Sequence, residues 1–255
     1  MPAIPDLATC KKIGFIVPSS NTAVEPITQA IFQSLNSNII CIFTRIQVKT
    51  TGVDTSSTSQ FSTETMVTAA RLLADAEPDA ILWNGTSGMW VEGGLEADKR
   101  LAAAMQDATS IPCSTTTLAT LEALELCKPT SIGVAVPYGA EHTKKVQGFF
   151  AGLNLGYSVV HASRMDPSPE PNIKIAKSSM HEIRRLIVEA GCAGKSEAVV
   201  VACTNWPGAG LVNELEKEMK ATIIDSVIVT VWQGLRMAGF KGQMTGWGRL
   251  MGEML

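Results

Sequence analysis

The chain has 255 residues, a formal charge of −3, 45% apolar residues and 18% charged ones. That size suits one large or two small domains with a sizeable core, and the slightly acidic balance argues against nucleic acid or an anionic membrane surface as partner. No apolar run approaches the ~20 residues of a membrane span. The opening Met-Pro-Ala-Ile-Pro-Asp lacks the basic and apolar parts of a secretion signal, so a cytoplasmic protein is expected.

In chain order, residues 13–17 read as a buried strand stopped by Pro18, and Ser19-Ser20-Asn21-Thr22 offers caps for a helix over 23–35. A strand over 39–48 follows. Residues 50–63, dominated by Ser and Thr, form a loop long enough to be a candidate lid. A helix over 65–76 precedes a strand over 80–83, which runs into Asn84-Gly85-Thr86-Ser87-Gly88. A helix over 94–107, a short strand over 112–114 and a linking helix over 116–127 complete this set. The order then repeats with a strand over 132–136, a helix over 141–153 and a strand over 157–162. Next come a loop over 166–172 stiffened by Pro167, Pro169 and Pro171, and a helix over 175–190 capped by Gly191. A strand over 199–202 ends at Cys203. A helix over 211–220, a short strand over 223–224 and a helix over 227–238 that returns to the first half finish the chain.

The second set is a copy of the first. Lys-Ile-Gly-Phe-Ile-Val-Pro (12–18) matches Ser-Ile-Gly-Val-Ala-Val-Pro (131–137), with Gly14 and Gly133 119 positions apart. Asp-Ala-Ile-Leu-Trp-Asn-Gly-Thr-Ser (79–87) lies over Glu-Ala-Val-Val-Val-Ala-Cys-Thr-Asn (197–205), so Gly85 faces Cys203 at an offset of 118. Two strand-plus-loop patterns at nearly one spacing predict an α/β protein of two similar doubly wound parallel-sheet halves. The expected halves are 1–116 plus 227–255, and 117–226. Ligands bind outside the carboxyl ends of such strands, which puts the expected active site between the halves, with Cys203 at its address.

Several chemistries are unsupported. No Gly-x-Gly-x-x-Gly or phosphate loop is present. Gly85-Thr86-Ser87-Gly88-Met89 misses the serine-nucleophile elbow by one glycine, with no Asp and His partners following it. Six cysteines (10, 41, 113, 127, 192, 203) and three histidines (142, 161, 181) show no zinc spacing. The expectation is therefore no metal, no cofactor, five cysteines acting as small buried hydrophobes, and histidines with structural roles.

At this point the residues resemble the aspartate/glutamate racemase superfamily, and within it the maleate cis–trans isomerase and arylmalonate decarboxylase branch. Val17-Pro18-Ser19-Ser20-Asn21, Gly85-Thr86-Ser87, Pro137-Tyr138, Pro171-Asn172-Ile173 and Cys203-Thr204-Asn205 match in order over nearly the whole chain. The resemblance implies that Asn21 and Asn172 hold substrate carboxylates and that Tyr138 contacts a carboxylate through its hydroxyl. It implies that Thr86 and Ser87 form an oxyanion pocket and that Cys203 is catalytic. Pro18, Gly85 and Thr204 border the substrate in the same reading. Trp83, Met89 and Trp90 supply an apolar side. Asn21 and Asn172 equally suit helix-cap or loop roles, and Tyr138 suits core packing.

The departure is Gly85, where the resemblance implies a first cysteine in racemases and isomerases and a glycine in decarboxylases. One thiol is too few for a racemase, which needs an acid or base on each face of a planar carbanion. It is enough for a decarboxylase, which expels CO₂, spreads the charge of the enediolate over donors and protonates one face. The expected function is cofactor-independent decarboxylation of a small malonate-type dicarboxylic acid, with Cys203 as proton donor. The alternatives are a maleate-type isomerase or racemase, and a catalytically silent dicarboxylate-binding module. No nucleic acid or membrane partner is expected, and homo-oligomerisation is left open.

Overall fold

A computed structural model describes residues 5–35 and 38–255. Eight parallel strands form two four-stranded sheets of the same order. The first is β2 (Ile39–Ile46), β1 (Lys11–Pro18), β3 (Ala80–Trp83) and β4 (Cys113–Thr115). The second is β6 (Ser158–Arg164), β5 (Ser131–Val136), β7 (Ala198–Val201) and β8 (Thr222–Asp225). In each sheet the two middle strands are sunk into the core: Ile13 to Pro18, Ala80 to Trp83, Ile132 to Val136 and Ala198 to Val201 are buried. Unbroken apolar runs of this kind need cover on both faces, which crossover helices supply. The expected pair of doubly wound halves is therefore present.

Helices α1 (Val24–Gln33), α2 (Thr55–Thr58), α3 (Thr63–Ala74) and α4 (Gly94–Thr109) belong to the first half. Helices α6 (Ala140–Ala151), α7 (Met180–Cys192) and α8 (Val212–Met219) belong to the second. Gly133 of β5 shows why a glycine recurs in the central strand. A Cβ there would come 2.0 Å from the backbone carbonyl oxygen of Ala190, so only glycine lets α7 lie this close.

The helix expected over 175–190 divides. Asn172–Lys177 forms a 3₁₀ turn, and α7 starts afresh after Ser179, whose side chain accepts from the Glu182 N–H. Gly191 does not cap it. It lies inside α7, where a Cβ would meet Met219 Sδ at 2.7 Å, so it serves close packing.

Two helices join the halves. After β4, α5 (Thr116–Cys127) leads into the second half; after β8, α9 (Ser226–Met237) leads back. They occupy equivalent places, pack on each other, and each touches the other half's last strand. Their pairing includes a hydrogen bond between the hydroxyls of Thr116 and Thr230 at 2.7 Å. Apolar residues surround α9 on nearly every side, as expected of a helix with no solvent face. The C-terminal residues bridge both halves. Trp247 Nε1 donates to Ser34 Oγ at 2.9 Å, while the backbone N–H of Arg249, in α10 (Arg249–Glu253), donates to the Glu216 carboxylate at 2.6 Å.

Candidate active site

The loops after β1, β3, β5, β6 and β7 converge on one cavity between the sheets, with the 48–61 segment after β2 across it. Every residue the sequence singled out as catalytic or substrate-binding lies in its wall: Pro18, Asn21, Gly85, Thr86, Ser87, Tyr138, Asn172, Cys203 and Thr204. Trp83 and Trp90 give it an apolar side, joined by Val48 and Phe61. Met89 does not line the cavity; it turns into the main core. The free volume is ≈ 20 Å³, about one water molecule. A diacid is larger than this space. The expected lid supplies Thr51 and Phe61 to the cavity wall, and it contains α2 and a 3₁₀ turn, Ser59–Phe61.

Cys203 follows the end of β7, 3% exposed. Burial pushes its thiol up to about 11, against the downward pull of the Tyr138 hydroxyl and the backbone N–H groups of Asn205 and Trp206. At neutral pH it therefore holds its proton and can act as an acid. The same three donors stabilise the thiolate left once that proton has gone. The phenol of Tyr138 is raised well above its ordinary range, by burial first and then by the neighbouring sulfur. It stays a donor throughout, with Thr86 hydrogen-bonded to its oxygen.

Opposite Cys203 lies the Gly85-Thr86-Ser87 loop, which turns sharply from β3 into a 3₁₀ turn, Ser87–Met89. Trp83 Nε1 donates to Ser87 Oγ at 3.1 Å, leaving the Ser87 O–H free to donate elsewhere.

The two asparagines have divided duties. Asn21 Oδ1 accepts from the N–H groups of Ala23 and Val24 at 2.9 and 3.0 Å, an Asx turn leading into α1. The N-cap of α1 is Ala23 and carries no side-chain bond, so Asn21 has a turn role in place of the expected cap. Asn21 Nδ2 donates one proton to Thr204 Oγ1 at 3.1 Å, which leaves a second N–H for a ligand. Asn172 Nδ2 donates to Ser20 Oγ at 2.7 Å, again with one N–H to spare. Neither carboxylate-binding nor structural duty excludes the other. Arg45 braces this corner by donating to the backbone carbonyls of Ser19 and Asn21 at 2.9 and 3.1 Å.

Two residues of this region were not singled out from the sequence. Asn205 pins the halves together, donating from Nδ2 to the Asn172 carbonyl at 2.7 Å and accepting at Oδ1 from the Thr22 N–H at 3.0 Å. Its place in Cys203-Thr204-Asn205 was the available signal. His142 stacks flat on Tyr138, centroids 3.9 Å apart and 7° between planes, with the edge of Trp90 at 4.5 Å. Burial pulls its imidazole down to about 4, so it is neutral and holds the phenol ring in place. The Tyr-x-x-x-His spacing, one helical turn, was its only trace in the sequence.

Among the described residues the cavity wall contains no Lys, Arg or His side chain, so a dianion there meets hydroxyls, amides and N–H groups, with the start of α6 just beyond Tyr138. Among the described residues no group of three His, Cys, Asp or Glu side chains is placed to hold a metal ion. No helix among them is long and apolar enough to cross a membrane.

Residues 13–251 match the family described as arylmalonate decarboxylase. The chain is 22% identical over 191 residues to the arylmalonate decarboxylase of Bordetella bronchiseptica, covering 74% of this chain and 78% of that one. Among solved structures it resembles a Nocardia farcinica maleate cis–trans isomerase variant carrying a covalently bound succinylcysteine intermediate. That likeness has a TM-score of 0.84 at 19% identity, over 95% and 98% of the two chains. An unliganded arylmalonate decarboxylase matches at a TM-score of 0.76 and 21% identity, over 94% and 98%. At such identities the structural likenesses speak for the fold.

Proposed function

The chain belongs to the arylmalonate decarboxylase family, and on that premise we propose that it is a cofactor-independent decarboxylase of a small malonate-type diacid. The observation that carries the reading is the single thiol in the cavity wall among the described residues: Cys203, held protonated, faces a strand end that offers only Gly85. The matched relative is a decarboxylase and a structural neighbour is an isomerase, and the number of thiols is what separates the requirements of the two reactions.

In the proposed reaction one carboxylate leaves as CO₂ and its bonding pair passes into the second carboxylate, giving an enediolate. Thr86, Ser87, Tyr138 and the spare amide N–H groups of Asn21 and Asn172 hold the oxygens on which charge grows. Removing one such donor typically costs 10²–10³ in rate. A leaving carboxylate set against Val48, Phe61, Trp83 and Trp90 loses its hydration, whereas CO₂ loses little on entering an apolar wall. Cys203 then gives its S–H proton to the carbon. The thiolate, held by Tyr138 and the two N–H groups, takes a proton from water to close the cycle.

Isomerisation of a maleate-type acid is the second reading, because Asn21 and Asn172 follow the pattern of the isomerases. It would need a nucleophilic thiol, and Cys203 is held as an acid. The deciding experiment incubates chelator-treated protein with malonate, methylmalonate, phenylmalonate and maleate, following CO₂ and the products by proton NMR. Release of CO₂ from a malonate without fumarate formation is expected. Fumarate from maleate with no CO₂ from any malonate would replace the reading by isomerisation, and binding without turnover would replace it by a silent dicarboxylate-binding module.

A further inference from the structure

Trp83 and Gly85 stand two residues apart at the end of β3, and the indole folds back over the glycine. A Cβ on Gly85 would lie 2.3 Å from Trp83 Cζ2 and 2.6 Å from Cε2, far inside any contact distance. The ring cannot easily yield. It is fully buried, it meets Phe61 with centroids 6.1 Å apart, and it is tied through Nε1 to Ser87 Oγ at 3.1 Å. Gly85 is therefore more than a position where a cysteine happens to be missing; the volume such a side chain needs is already filled.

We propose that Trp83 is a positioning and specificity-determining residue, whose N–H orients the Ser87 hydroxyl toward the bound carboxylate and whose ring keeps a second acid off the Gly85 face. The proposal rests on the single-acid decarboxylation reading and deepens it. By donating to Ser87 Oγ, the indole occupies one lone pair and directs the O–H away from itself. By filling the Gly85 face, it leaves Cys203 as the lone proton source for the carbanion, so the product forms with one hand. Installing a thiol at position 85 should consequently fail unless position 83 is made smaller. When both changes are made, a thiolate on one face removes the α-proton of the product and the electron pair enters the carboxylate as an enediolate. The thiol on the other face then returns a proton to carbon, and the two sulfurs have exchanged protonation states.

The test uses two sets of variants of the full chain, each checked for cooperative melting and malonate binding. In the first, Trp83→Phe keeps the bulk and removes the N–H. Decarboxylation kcat should fall about tenfold, the effect of one lost neutral hydrogen bond, with KM within about twofold. In a Ser87→Ala background the same change should cost nothing more. An equal loss in both backgrounds would overturn the positioning role.

In the second set, Gly85→Cys is compared with Gly85→Cys/Trp83→Leu for racemisation of a 2-substituted propionate. Alkylation of the thiol at position 85 by iodoacetamide is followed by mass spectrometry. The double variant should racemise at least tenfold faster and alkylate at least tenfold faster. Equal rates in the two variants would overturn the blocking role. The alkylation ratio needs no turnover: if wild type decarboxylates no malonate and the ratio still holds, the decarboxylation reading fails while the blocking role stands.

Discussion

The two strand ends that face each other across the cavity share a backbone frame and little else. In the second half the chain leaves β7 at Val201 and passes through Ala202 to Cys203, a thiol in a nest of N–H groups and a phenol. In the first, β3 runs through Trp83 and Asn84 to Gly85, and the side chain two residues earlier bends back into the vacated space. In the proposed reaction one end supplies a proton and the other supplies hydroxyls for the oxygens of the carbanion. A repeat that builds two equal addresses has thus been made chemically one-sided by a few side chains, and the one-sidedness is what a decarboxylase requires.

The sharpest way to break this comparison is at the acid. Cys203→Ser should lower decarboxylation at least 10³-fold, because a hydroxyl is a far weaker acid than a thiol and acid catalysis contributes about 10²–10⁴. Malonate affinity by calorimetry should stay within a few-fold, and unchanged turnover would show that the proton comes from elsewhere. At the opposite end, Ser87→Ala removes one oxyanion donor and should lower kcat about 10²-fold. An equal rise in KM with kcat preserved would instead make Ser87 a ground-state binder.

The pH dependences come next. As the thiol is raised to about 11, kcat should hold level through pH 6–9 and fall only as pH approaches that value. A decline centred near 8 would mean an unshifted thiol. Stability has its own dependence through His142, whose imidazole is pulled down to about 4 by burial. Below the ordinary value of about 6.5 the unfolded chain takes up a proton that the folded chain refuses, so stability is lost as pH falls from about 6.5 toward 4. The loss contributed by His142 between pH 7 and 5 is about 2 kcal/mol, opposed over the same range by Asp225, whose carboxyl burial raises to about 7. The difference between His142→Phe and the parent chain in thermal melts at the two pH values should therefore isolate it.

The smallest effect separates the asparagines. Asn21→Ala should raise KM and also cost about 1 kcal/mol of stability, because the Ala23 and Val24 N–H groups lose their acceptor. Asn21→Asp keeps that acceptor and loses the donor, so it should raise KM with little change in melting temperature. If Asn21→Ala and Asn172→Ala destabilise equally, the turn held by Asn21 is not what distinguishes them.

The amino-acid order determined the fold and the address of the site. Unbroken apolar runs at one repeat spacing can be satisfied only by two parallel sheets covered on both faces, and parallel strands bring their carboxyl ends to one side. That places Pro18, Gly85, Tyr138, Asn172 and Cys203 around one cavity without any knowledge of side-chain directions. What the order did not determine is which way those side chains turn. Trp83 packs into a different apolar cluster from its neighbour Leu82, and within that cluster its indole lies over Gly85, bonded to Ser87 and set against Phe61. His142 gained its partner only when α6 set it against Tyr138 and Trp90. The amide of Asn21 found a partner only when the fold brought Thr204, 183 residues away, to accept one of its N–H groups. The protonation of Cys203 is likewise tertiary, since the lost hydration that raises it is the joint work of chain segments from both halves. Strand periodicity is a local property of the sequence, whereas desolvation and side-chain direction belong to the packed whole.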